Sequence, residues 1–360
     1  MIVIGGDFIS NLEVDLSAIK ENLKRIKQLL NNNQKLCFVA KANCYGLGDE
    51  KICQSVNGLV DYFAVAKESE FLRIKKYVTK PILILNPIYE NITICARQGA
   101  EFCVCNFESL EVVLSLANQN KCVQFKIHIA INTGMNRFGF SDFDYIKEVF
   151  KMCEKTQNIS IIGVFTHYYS QIDENIAEIQ FSRFEKYKRL IDEFVPTNKL
   201  IFHIANTGGV QIKNGFDMVR VGFGMYDDSV FETIKLSSKI LDFQELNACD
   251  TAGYEAVFKA SRKTKIAVVG IGYADGVFRN VYKKGYVLIN NCFAKIIAVC
   301  MDSMLVDVTE IDCKICDEVI LIGKSESRQI FICDMASWCD TIGYEVIAKL
   351  SSRIKRIYKE

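Results

Sequence analysis

The chain has 360 residues, of which 50% are hydrophobic and 24% are charged, a composition typical of a folded protein with a large core. Its 44 basic and 43 acidic residues leave a formal net charge of +1, which provides no electrostatic attraction towards nucleic acid or an anionic membrane. At roughly 150 residues per domain, this length predicts two domains.

The distribution of apolar and charged residues along the sequence disfavours export and membrane insertion. No apolar run approaches the roughly 20 residues of a membrane-spanning helix, and the N-terminal stretch reaches Asp7 without a basic segment, unlike an export signal. We therefore expect the 15 cysteines to be free thiols in a reducing cytoplasm. The one CxxC motif, Cys313 to Cys316, lies between two apolar runs, and we interpret it as a hairpin connection rather than a zinc or redox site.

The first two thirds of the chain alternate short apolar runs with segments of helical period. The eight runs lie at residues 36–41, 62–66, 81–85, 102–106, 125–131, 161–167, 200–206 and 218–224. Runs that are apolar throughout are typical of strands buried on both faces, as in a parallel sheet. Between them, segments such as the one that starts at Ser17, a predicted N-cap, place apolar side chains on one helical face. The pattern predicts a (β/α)8 barrel over residues 1–235.

After about residue 235 the pattern changes. Helical periods nearly vanish, and short strands follow one another, with a few helical turns near the C-terminus. This pattern predicts a separate antiparallel β domain over residues 236–360. The expected fold class is therefore an α/β barrel followed by a C-terminal antiparallel β domain.

Chemistry-bearing side chains follow several of the predicted barrel strands, at the end where barrels of this kind hold their active sites. In chain order they are Lys41, Arg137, His167, His203, Asn206, Thr207 and Arg220. Taken singly, each has an ordinary interpretation as a surface lysine, a core histidine or a tight turn. Together, a lysine and glycine-rich turns with backbone N–H groups for a phosphate fit pyridoxal 5′-phosphate (PLP), whose aldehyde bonds to a lysine.

These residues belong to motifs that resemble the alanine racemase family. The motifs are VAKANCYGLG (39–48), NTGMNRFG (132–139), FTHY (165–168), HIANT (203–207), VRVGFGMY (219–226), GYADG (272–276), CMDS (300–303) and YEV (344–346). They span nearly the whole chain in family order. The resemblance implies a PLP barrel followed by a β domain, and racemisation of alanine.

The resemblance also implies a role for each matching residue. Lys41 carries PLP and exchanges protons on one face of the substrate Cα, and Tyr273 of the partner subunit serves the other face, so that a homodimer is the catalytic unit. His167 lies against the cofactor ring. The phosphate is held by Tyr45, Asn206, Thr207, Gly222 and Tyr344. Arg220 faces the pyridine nitrogen, to which a guanidinium donates a hydrogen bond without giving up its proton, so the cofactor is a restrained electron sink.

The substrate side of the site follows from the same resemblance. Arg137 lies near the cofactor's phenolic oxygen and the substrate carboxylate, and Met301 and Asp302 of the partner subunit complete a pocket for a small side chain. Many family members have a carbamylated lysine seven residues before this arginine, where this chain has Ala130, and Asn132 replaces a usual aspartate. We hypothesise that Arg137 is oriented by Asn132, by water or by a bound anion such as chloride.

The interpretation is a cytoplasmic, PLP-dependent racemase for alanine that supplies D-alanine for bacterial peptidoglycan, with no nucleic-acid or membrane partner. A racemase for serine or a broader set of amino acids is the nearest alternative, since an apolar pocket only weakly rejects one added hydroxyl. A PLP-binding protein without turnover would not need Tyr273. A basic amino acid decarboxylase would need a different cysteine-acid signature in the β domain, and a zinc or redox protein would need ligands beyond Cys313 and Cys316.

Overall fold

The protein is described from a computed structural model that covers residues 9–170, 173–195, 199–211, 216–226 and 232–360. The stretch before residue 9, on which the expectation of no export signal rests, lies outside the described residues. No helix in the described ranges is long and apolar enough to cross a membrane.

The secondary structure is numbered along the chain. The helices are α1 (Leu16–Gln28), α2 (Lys41–Tyr45), α3 (Asp49–Val56), α4 (Glu68–Ile74), α5 (Ile92–Arg97), α6 (Phe107–Gln119), α7 (Phe143–Glu154), α8 (Glu174–Asp192), α9 (Ile332–Trp338) and α10 (Gly343–Ala348). The strands up to residue 221 are β1 (Asn11–Asp15), β2 (Lys35–Val39), β3 (Tyr62–Val65), β4 (Ile82–Ile84), β5 (Ala100–Val104), β6 (Phe125–Ala130), β7 (Ile159–Phe165), β8 (Ile201–His203) and β9 (Met218–Val221). The later strands are β10 (Ile234–Leu246), β11 (Thr251–Ala252), β12 (Phe258–Lys259), β13 (Thr264–Val269), β14 (Tyr286–Ile289), β15 (Cys292–Val299), β16 (Met304–Asp307), β17 (Glu318–Ser325), β18 (Arg328–Ile330) and β19 (Lys355–Lys359).

Eight parallel strands form the barrel, in the order β8-β7-β6-β5-β4-β3-β2-β9. Every residue of β5 and β9 is buried, as expected for strands covered on both faces. The backbone N–H of Asp217 donates to the Phe202 carbonyl (2.8 Å), and that of Arg220 donates to the Ala205 carbonyl (3.0 Å), so the first and last strands of the sheet also meet. The predicted (β/α)8 barrel is confirmed, and its strands coincide with the eight apolar runs.

A second, mostly antiparallel sheet has the order β18-β17-β14-β15-β16-β13-β10-β1-β19. Its longest member is β10, with 13 residues, which pairs with β1, β13 and β17. A bulge between Ile240 and Asp242 interrupts the pairing of β10 with β13. The predicted C-terminal β domain is confirmed, although the sequence analysis did not identify β10 as a strand.

The first strand differs from the expectation that the first 235 residues build the barrel, because β1 pairs with β10 and β19. Leu12 and Val14 are buried and alternate with half-exposed polar residues, which is the pattern of a strand with one buried face. The chain forms two compact units. One comprises residues 23–44 and 49–225, and the other comprises the described residues up to Asn22, residues 45–48, and the described residues from Tyr226 onwards. The boundary at residue 235 stays a prediction.

The CxxC segment does not form the predicted hairpin connection. Cys313 and Cys316 lie between β16, which pairs with β13 and β15, and β17, which pairs with β10, β14 and β18. The two strands are not neighbours in the sheet, so the segment is a longer crossing connection. Within the described ranges, no group of three or more His, Cys, Asp or Glu side chains could hold a metal ion.

The N-cap of α1 is Asp15 and not the predicted Ser17. A carboxylate oxygen of Asp15 accepts the backbone N–H of Ala18 (2.8 Å), while Ser17 is exposed within the first turn. The strand β1 runs directly into α1, so its last residue has the extended backbone that a cap position requires. The sequence analysis placed the cap too late because β1 was not recognised as a strand.

We expect Asp15→Ala to lower the free energy of unfolding by about 1 kcal/mol, because the N–H of Ala18 then loses its acceptor and the N-terminus of α1 loses a nearby carboxylate. Ser17→Ala is the matched control and should change the stability by less than about 0.5 kcal/mol. Urea denaturation of the three proteins measures both effects. Equal losses for the two variants would show that Asp15 is not the cap.

Candidate active site

The mouth of the barrel brings together most of the residues that the sequence analysis selected. Within the barrel unit, the ends of β2, β6, β7, β8 and β9 carry them. They are Lys41, Arg137, His167, Asn206, Thr207, Arg220 and Gly222. Tyr45, Tyr273, Met301, Asp302 and Tyr344 belong to the other unit.

Lys41 lies just after the end of β2 and is partly buried. Burial lowers the pKa of its ammonium group, the charge of Arg137 lowers it further, and Glu70 partly opposes the shift. Glu70 is buried, and its carboxylate accepts the backbone N–H groups of Ala42 (2.7 Å), Ala66 (2.7 Å) and Lys67 (3.1 Å). One carboxylate thereby joins the turn after Lys41 to the end of β3. A lysine with a lowered pKa is a better nucleophile and base near neutral pH.

The turn after Lys41 has an unusual backbone. Four consecutive residues without glycine, Ala42 to Tyr45, have φ between 50° and 57°. This left-handed conformation costs roughly 1–2 kcal/mol per residue, and less for asparagine. The side chain of Asn43 supports the turn by accepting the N–H of Asp49 (3.0 Å). Backbone strain of this kind is concentrated at functional sites.

Arg220 lies inside the barrel with 4% of its surface exposed. One terminal nitrogen of its guanidinium donates to the carbonyls of Thr166 (2.7 Å) and Ile204 (3.2 Å) and to Nδ1 of His167 (3.2 Å). The other donates to the carbonyl of His203 (3.2 Å) and to its Nδ1. Burial lowers the pKa of Arg220 to about 10, which still leaves it charged at neutral pH. No hydrogen bond to its Nε–H is present among the described residues.

Both histidines beside Arg220 are held neutral. Burial, followed by the charges of Arg220, Arg137 and Lys41, lowers the pKa of His167 to about 3. Burial and the Arg220 charge also bring the pKa of His203 well below its usual value. Each ring can therefore accept a hydrogen bond from the guanidinium at Nδ1. The mouth thus contains permanent cations and neutral imidazoles.

The turns after β8 and β9 pack closely together. The N–H of Gly222 donates to the hydroxyl of Thr207 (3.1 Å), and the N–H of Gly209 donates to the side chain of Asn206 (3.1 Å). At Gly224 an added Cβ would lie 2.2 Å from Cγ2 of Thr207, so a larger residue there would push the turns apart. The two glycine-rich segments therefore form one cluster of backbone donors and hydroxyl groups.

The loop after β6 carries Arg137, and the structure changes one expectation about it. The Asn132 carboxamide oxygen accepts the N–H groups of Gly134 (3.0 Å) and Asn136 (3.1 Å), and its nitrogen donates to the side chains of Asn136 (2.9 Å) and Ser141 (3.2 Å). None of its hydrogen bonds among the described residues reaches Arg137. Asn132 therefore shapes the loop, and it does not orient the guanidinium as hypothesised.

The surroundings of Arg137 on the side of Ala130 are apolar. The guanidinium carbon of Arg137 lies 4.7 Å from the ring centroid of Phe138. Ala130 packs with Cys103, Cys105 and Phe165 in a buried cluster. The small side chain of Ala130 leaves a cleft that is lined by residues that include Arg137 and His167. Water or a bound anion remain the hypotheses for what orients Arg137.

Two groups of predicted site residues lie in the other unit. The ring of Tyr45 makes edge contacts with those of Tyr226 (5.8 Å between centroids) and Tyr344 (6.1 Å). Next to Tyr45, the turn at Gly46 packs against the last turn of α10, since an added Cβ at Gly46 would lie 2.4 Å from the Ile347 carbonyl. Tyr45 and Tyr344 are therefore neighbours, as a shared role requires.

The second group contains Tyr273, Met301 and Asp302. The N–H of Ala274 donates to the carbonyl of Met301 (2.9 Å), which places the Tyr273 turn against the CMDS segment. The Tyr273 and Met301 side chains are exposed (36% and 49%). Arg353 contacts both Asp302 (2.6 Å) and Asp275 (3.4 Å) and so ties the two segments together.

The sequence analysis did not select three buried polar residues of the barrel unit: Glu70, Glu101 and His128. Glu70 is the third residue of α4, and a carboxylate there can bond back to the N–H groups that precede the helix. His128 is a polar residue within the apolar run of β6, and Glu101 similarly interrupts β5. A charged or polar residue inside a strand that is buried on both faces was the signal that could have identified the last two.

The chain thus combines a closed (β/α)8 barrel, which has a lysine and a buried guanidinium at its mouth, with a separate β domain. This mouth is where barrel enzymes hold their active sites. Residues 14–230 match the family model "Alanine racemase, N-terminal domain", and residues 233–358 match "Alanine racemase, C-terminal domain". The chain belongs to the alanine racemase family.

Individual relatives agree with this assignment. The chain is 32% identical to "Alanine racemase 2" of Caldanaerobacter subterraneus subsp. tengcongensis, over 97% of this chain and 94% of that protein. Its structure is similar to a crystal structure of alanine racemase from Bacillus anthracis with bound L-Ala-P (26% identity, TM-score 0.91, 99% of this chain and 96% of that chain). The histidine racemase from Leuconostoc mesenteroides subsp. sake shares the fold (21% identity, TM-score 0.87, 99% of each chain).

The low pKa of His167 predicts how stability depends on pH. Below pH 6.5 the unfolded state takes up a proton on this ring while the folded state does not until about pH 3, so the free energy of unfolding falls as the pH falls through that window. His167→Asn removes this loss, which amounts to about 2 kcal/mol between pH 7 and pH 5. Urea denaturation at the two pH values measures it.

Tyr168→Phe is the matched control for this measurement. It changes the next residue, whose buried hydroxyl has no hydrogen-bond partner among the described residues and does not titrate in this range. The control should lose as much stability between pH 7 and pH 5 as the unmodified protein does. If His167→Asn showed that same loss, the ring would not be held neutral in the folded state.

Proposed function

We propose that this protein interconverts L-alanine and D-alanine with pyridoxal 5′-phosphate as its cofactor. The observation that carries the proposal is the barrel mouth itself, where Lys41 has a lowered pKa and Arg220 is charged, buried and bonded through all but one of its nitrogens. The family membership and the name of the relative in Caldanaerobacter support alanine as the substrate.

The residues at the mouth fit this cofactor. The remaining donor, Nε–H of Arg220, suits the ring nitrogen, because a guanidinium donates a hydrogen bond there and keeps its proton. Asn206, Thr207 and Gly222 would hold the phosphate with hydroxyl and backbone N–H groups, with Tyr45 and Tyr344 as further donors, and His167 would lie against the ring. When bound, the cofactor acts as an electron sink that acidifies the proton on the substrate Cα.

Lys41 would both hold the cofactor and move protons. Because burial and the charge of Arg137 lower its pKa, the Lys41 amine gives up its proton more readily than an exposed lysine does. As a free amine, Lys41 would take a proton from one face of the substrate Cα or return one. The bonds from Glu70 to the turn after Lys41 hold the attachment point of this side chain in place.

Tyr273 of the partner subunit would serve the opposite face of Cα, so that the homodimer is the catalytic unit. Two observations support this: the Tyr273 ring and Met301 are exposed next to each other, and Arg353 holds their segments together through Asp275 and Asp302. Exposed apolar side chains next to charged groups are typical of interaction surfaces.

Arg137 would bind the substrate carboxylate, and Met301 and Asp302 of the partner subunit would limit the pocket to a small side chain. Serine or a broader set of amino acids is the second candidate substrate, because Ala130 leaves a cleft beside Arg137 and an apolar pocket discriminates weakly against a hydroxyl. We further propose a cytoplasmic enzyme that supplies D-alanine for peptidoglycan. The absence of disulfides among its fifteen cysteines fits a reducing compartment.

Exchange of the Cα proton in D₂O tests the reaction directly. With L-alanine and L-serine at equal concentration, we expect faster deuterium incorporation into alanine, together with formation of D-alanine on chiral analysis. Lys41→Ala is the inactive control. Bound cofactor without exchange on either amino acid would contradict the proposed function, and preferred exchange of serine would contradict alanine as the substrate.

Mixing two inactive variants tests whether Tyr273 acts on the partner's site. Lys41→Ala and Tyr273→Phe, dissociated and reassociated at equal amounts, form mixed dimers in which one of the two sites has both native residues. Random association predicts recovery of about a quarter of the native activity, since half of the dimers are mixed. Lys41→Ala mixed with Lys41→Arg is the control and should stay inactive. No recovery in the first mixture would place both residues in one subunit's site.

A further inference from the structure

Three buried polar side chains in the barrel have no part in the function proposed above. Glu101 on β5, His128 on β6 and His203 on β8 are at most 2% exposed. Such groups are costly inside an apolar barrel unless they are fully hydrogen-bonded. The burial of all three in one barrel therefore needs a physical explanation.

Together with Arg220 these side chains form a continuous chain of hydrogen bonds. His203 Nδ1 contacts the Arg220 guanidinium, His203 Nε2 lies 3.1 Å from His128 Nδ1, and His128 Nε2 lies 2.9 Å from a carboxylate oxygen of Glu101. The chain crosses the barrel from β9 to β5. It includes two of the three histidines of the protein, and the third, His167, contacts the same guanidinium.

Arg220 determines the direction of every hydrogen bond in this series. A guanidinium can only donate, so His203 Nδ1 must accept, and the proton of the neutral ring is then on Nε2. That proton is donated to His128 Nδ1, which leaves the proton of His128 on Nε2, facing the carboxylate of Glu101. A charged His203 would point an N–H at Arg220, which agrees with the strongly lowered pKa of this ring.

The neighbouring strands leave room for these hydrogen-bonded side chains and add no further charge. At Gly163 on β7 an added Cβ would lie 2.6 Å from His128 Nδ1, so the neighbouring strand leaves room for the ring. Tyr62 on β3 lies near the same carboxyl group, and burial followed by the charge of Glu101 raises the pKa of this tyrosine. Burial raises the pKa of Cys37 on β2 to about 12, while the charge of Arg220 lowers it and that of Glu101 raises it. At neutral pH, Tyr62 and Cys37 thus stay uncharged, and the hydrogen-bond chain ends at the Glu101 carboxyl group and at the Arg220 guanidinium.

We propose that Glu101, His128 and His203 are positioning residues that fix the plane of the Arg220 guanidinium and hold its remaining N–H ready for the bound cofactor. The proposal rests on the proposed function for the identity of that cofactor. The chain gives Arg220 a fixed acceptor at one terminal nitrogen, and the strand-end carbonyls fix the other. The guanidinium then cannot turn to satisfy a different set of acceptors when a ligand binds.

The imidazole tautomers test the chain without reference to activity. In the full-length protein labelled with ¹⁵N-histidine, only three side chains contribute signals, and single His→Gln variants assign them. We expect His128 and His203 both to be neutral with the proton on Nε2 at pH 7. A proton on Nδ1 of either ring, or a charged His203, would overturn the proposal even if the protein proved to be an active racemase.

Glu101→Gln tests the effect on Arg220 and keeps the size of the side chain and one acceptor oxygen. We expect the ¹⁵N signals of the two rings to shift, because the acceptor at the end of the hydrogen-bond chain changes from a carboxyl to an amide group, while the tautomers stay as Arg220 determines them. We also expect the absorbance spectrum of the bound cofactor to shift and kcat to fall on the order of 10-fold with little change in KM, as for other residues that orient a group in contact with the reacting centre. Tyr62→Phe is the matched control, because it removes a hydroxyl near the same carboxyl group and leaves the Arg220–His203–His128–Glu101 hydrogen bonds intact. It should leave all three readouts unchanged.

The outcomes separate this proposal from the proposed function. Unchanged histidine ¹⁵N signals, cofactor spectrum and kcat in Glu101→Gln would overturn the positioning role while the racemase activity stands. Equal effects of Glu101→Gln and Tyr62→Phe would also overturn it, since the carboxylate would then act only on local stability. If the unmodified protein bound no PLP, the proposed function would fail, and the tautomer measurement would still decide whether the chain exists.

Discussion

Arg220 is 4% exposed inside an apolar barrel, where an unpaired cation would cost several kcal/mol, and the strand ends around it supply the acceptors it needs. The carbonyls of Thr166, His203 and Ile204 lie at the ends of β7 and β8 and converge on its two terminal nitrogens. The same charge, added to burial, keeps His167 neutral. The position of one guanidinium thus determines the hydrogen bonding and the protonation at the centre of the barrel mouth.

Lys41, Arg137 and Arg220 all lie at this mouth, and the repulsion between their charges affects which ligands and which protonation states the site favours. Arg137 and Arg220 both contribute to the lowered pKa of Lys41, after burial, and Arg137 contributes to that of Arg220. A site of this kind favours an anionic ligand and an uncharged lysine at the same time, because each relieves the repulsion. A phosphate-bearing aldehyde and a substrate carboxylate are ligands of that type, which is why the geometry of the mouth and the chemistry proposed for it agree.

Periodicity predicted the barrel and the β domain because eight continuous apolar runs and a change to short strands are strong signals. It did not identify β1, whose partners β10 and β19 are more than 200 residues away in sequence, and the N-cap of α1 was misplaced with it. The motifs located Lys41, Arg137, His167 and Arg220, which the structure places at one mouth. Glu70, Glu101 and His128 lie outside the motifs. A polar residue inside a strand that is buried on both faces marks Glu101 and His128 as unusual, but the partners that give them a role are brought to them only by the fold. The assignment of Asn132 to Arg137 failed for the same reason, since its carboxamide is used by its own loop.

The central claim is that Lys41 is the residue to which the cofactor is attached. Reduction of the protein by borohydride in the presence of pyridoxal 5′-phosphate fixes the cofactor to its lysine as a stable secondary amine, and mass spectrometry of the peptides locates it. We predict one phosphopyridoxyl group per chain, on Lys41, and loss of the absorbance near 420 nm on reduction. Attachment to a different lysine, or no specific attachment, would contradict the account.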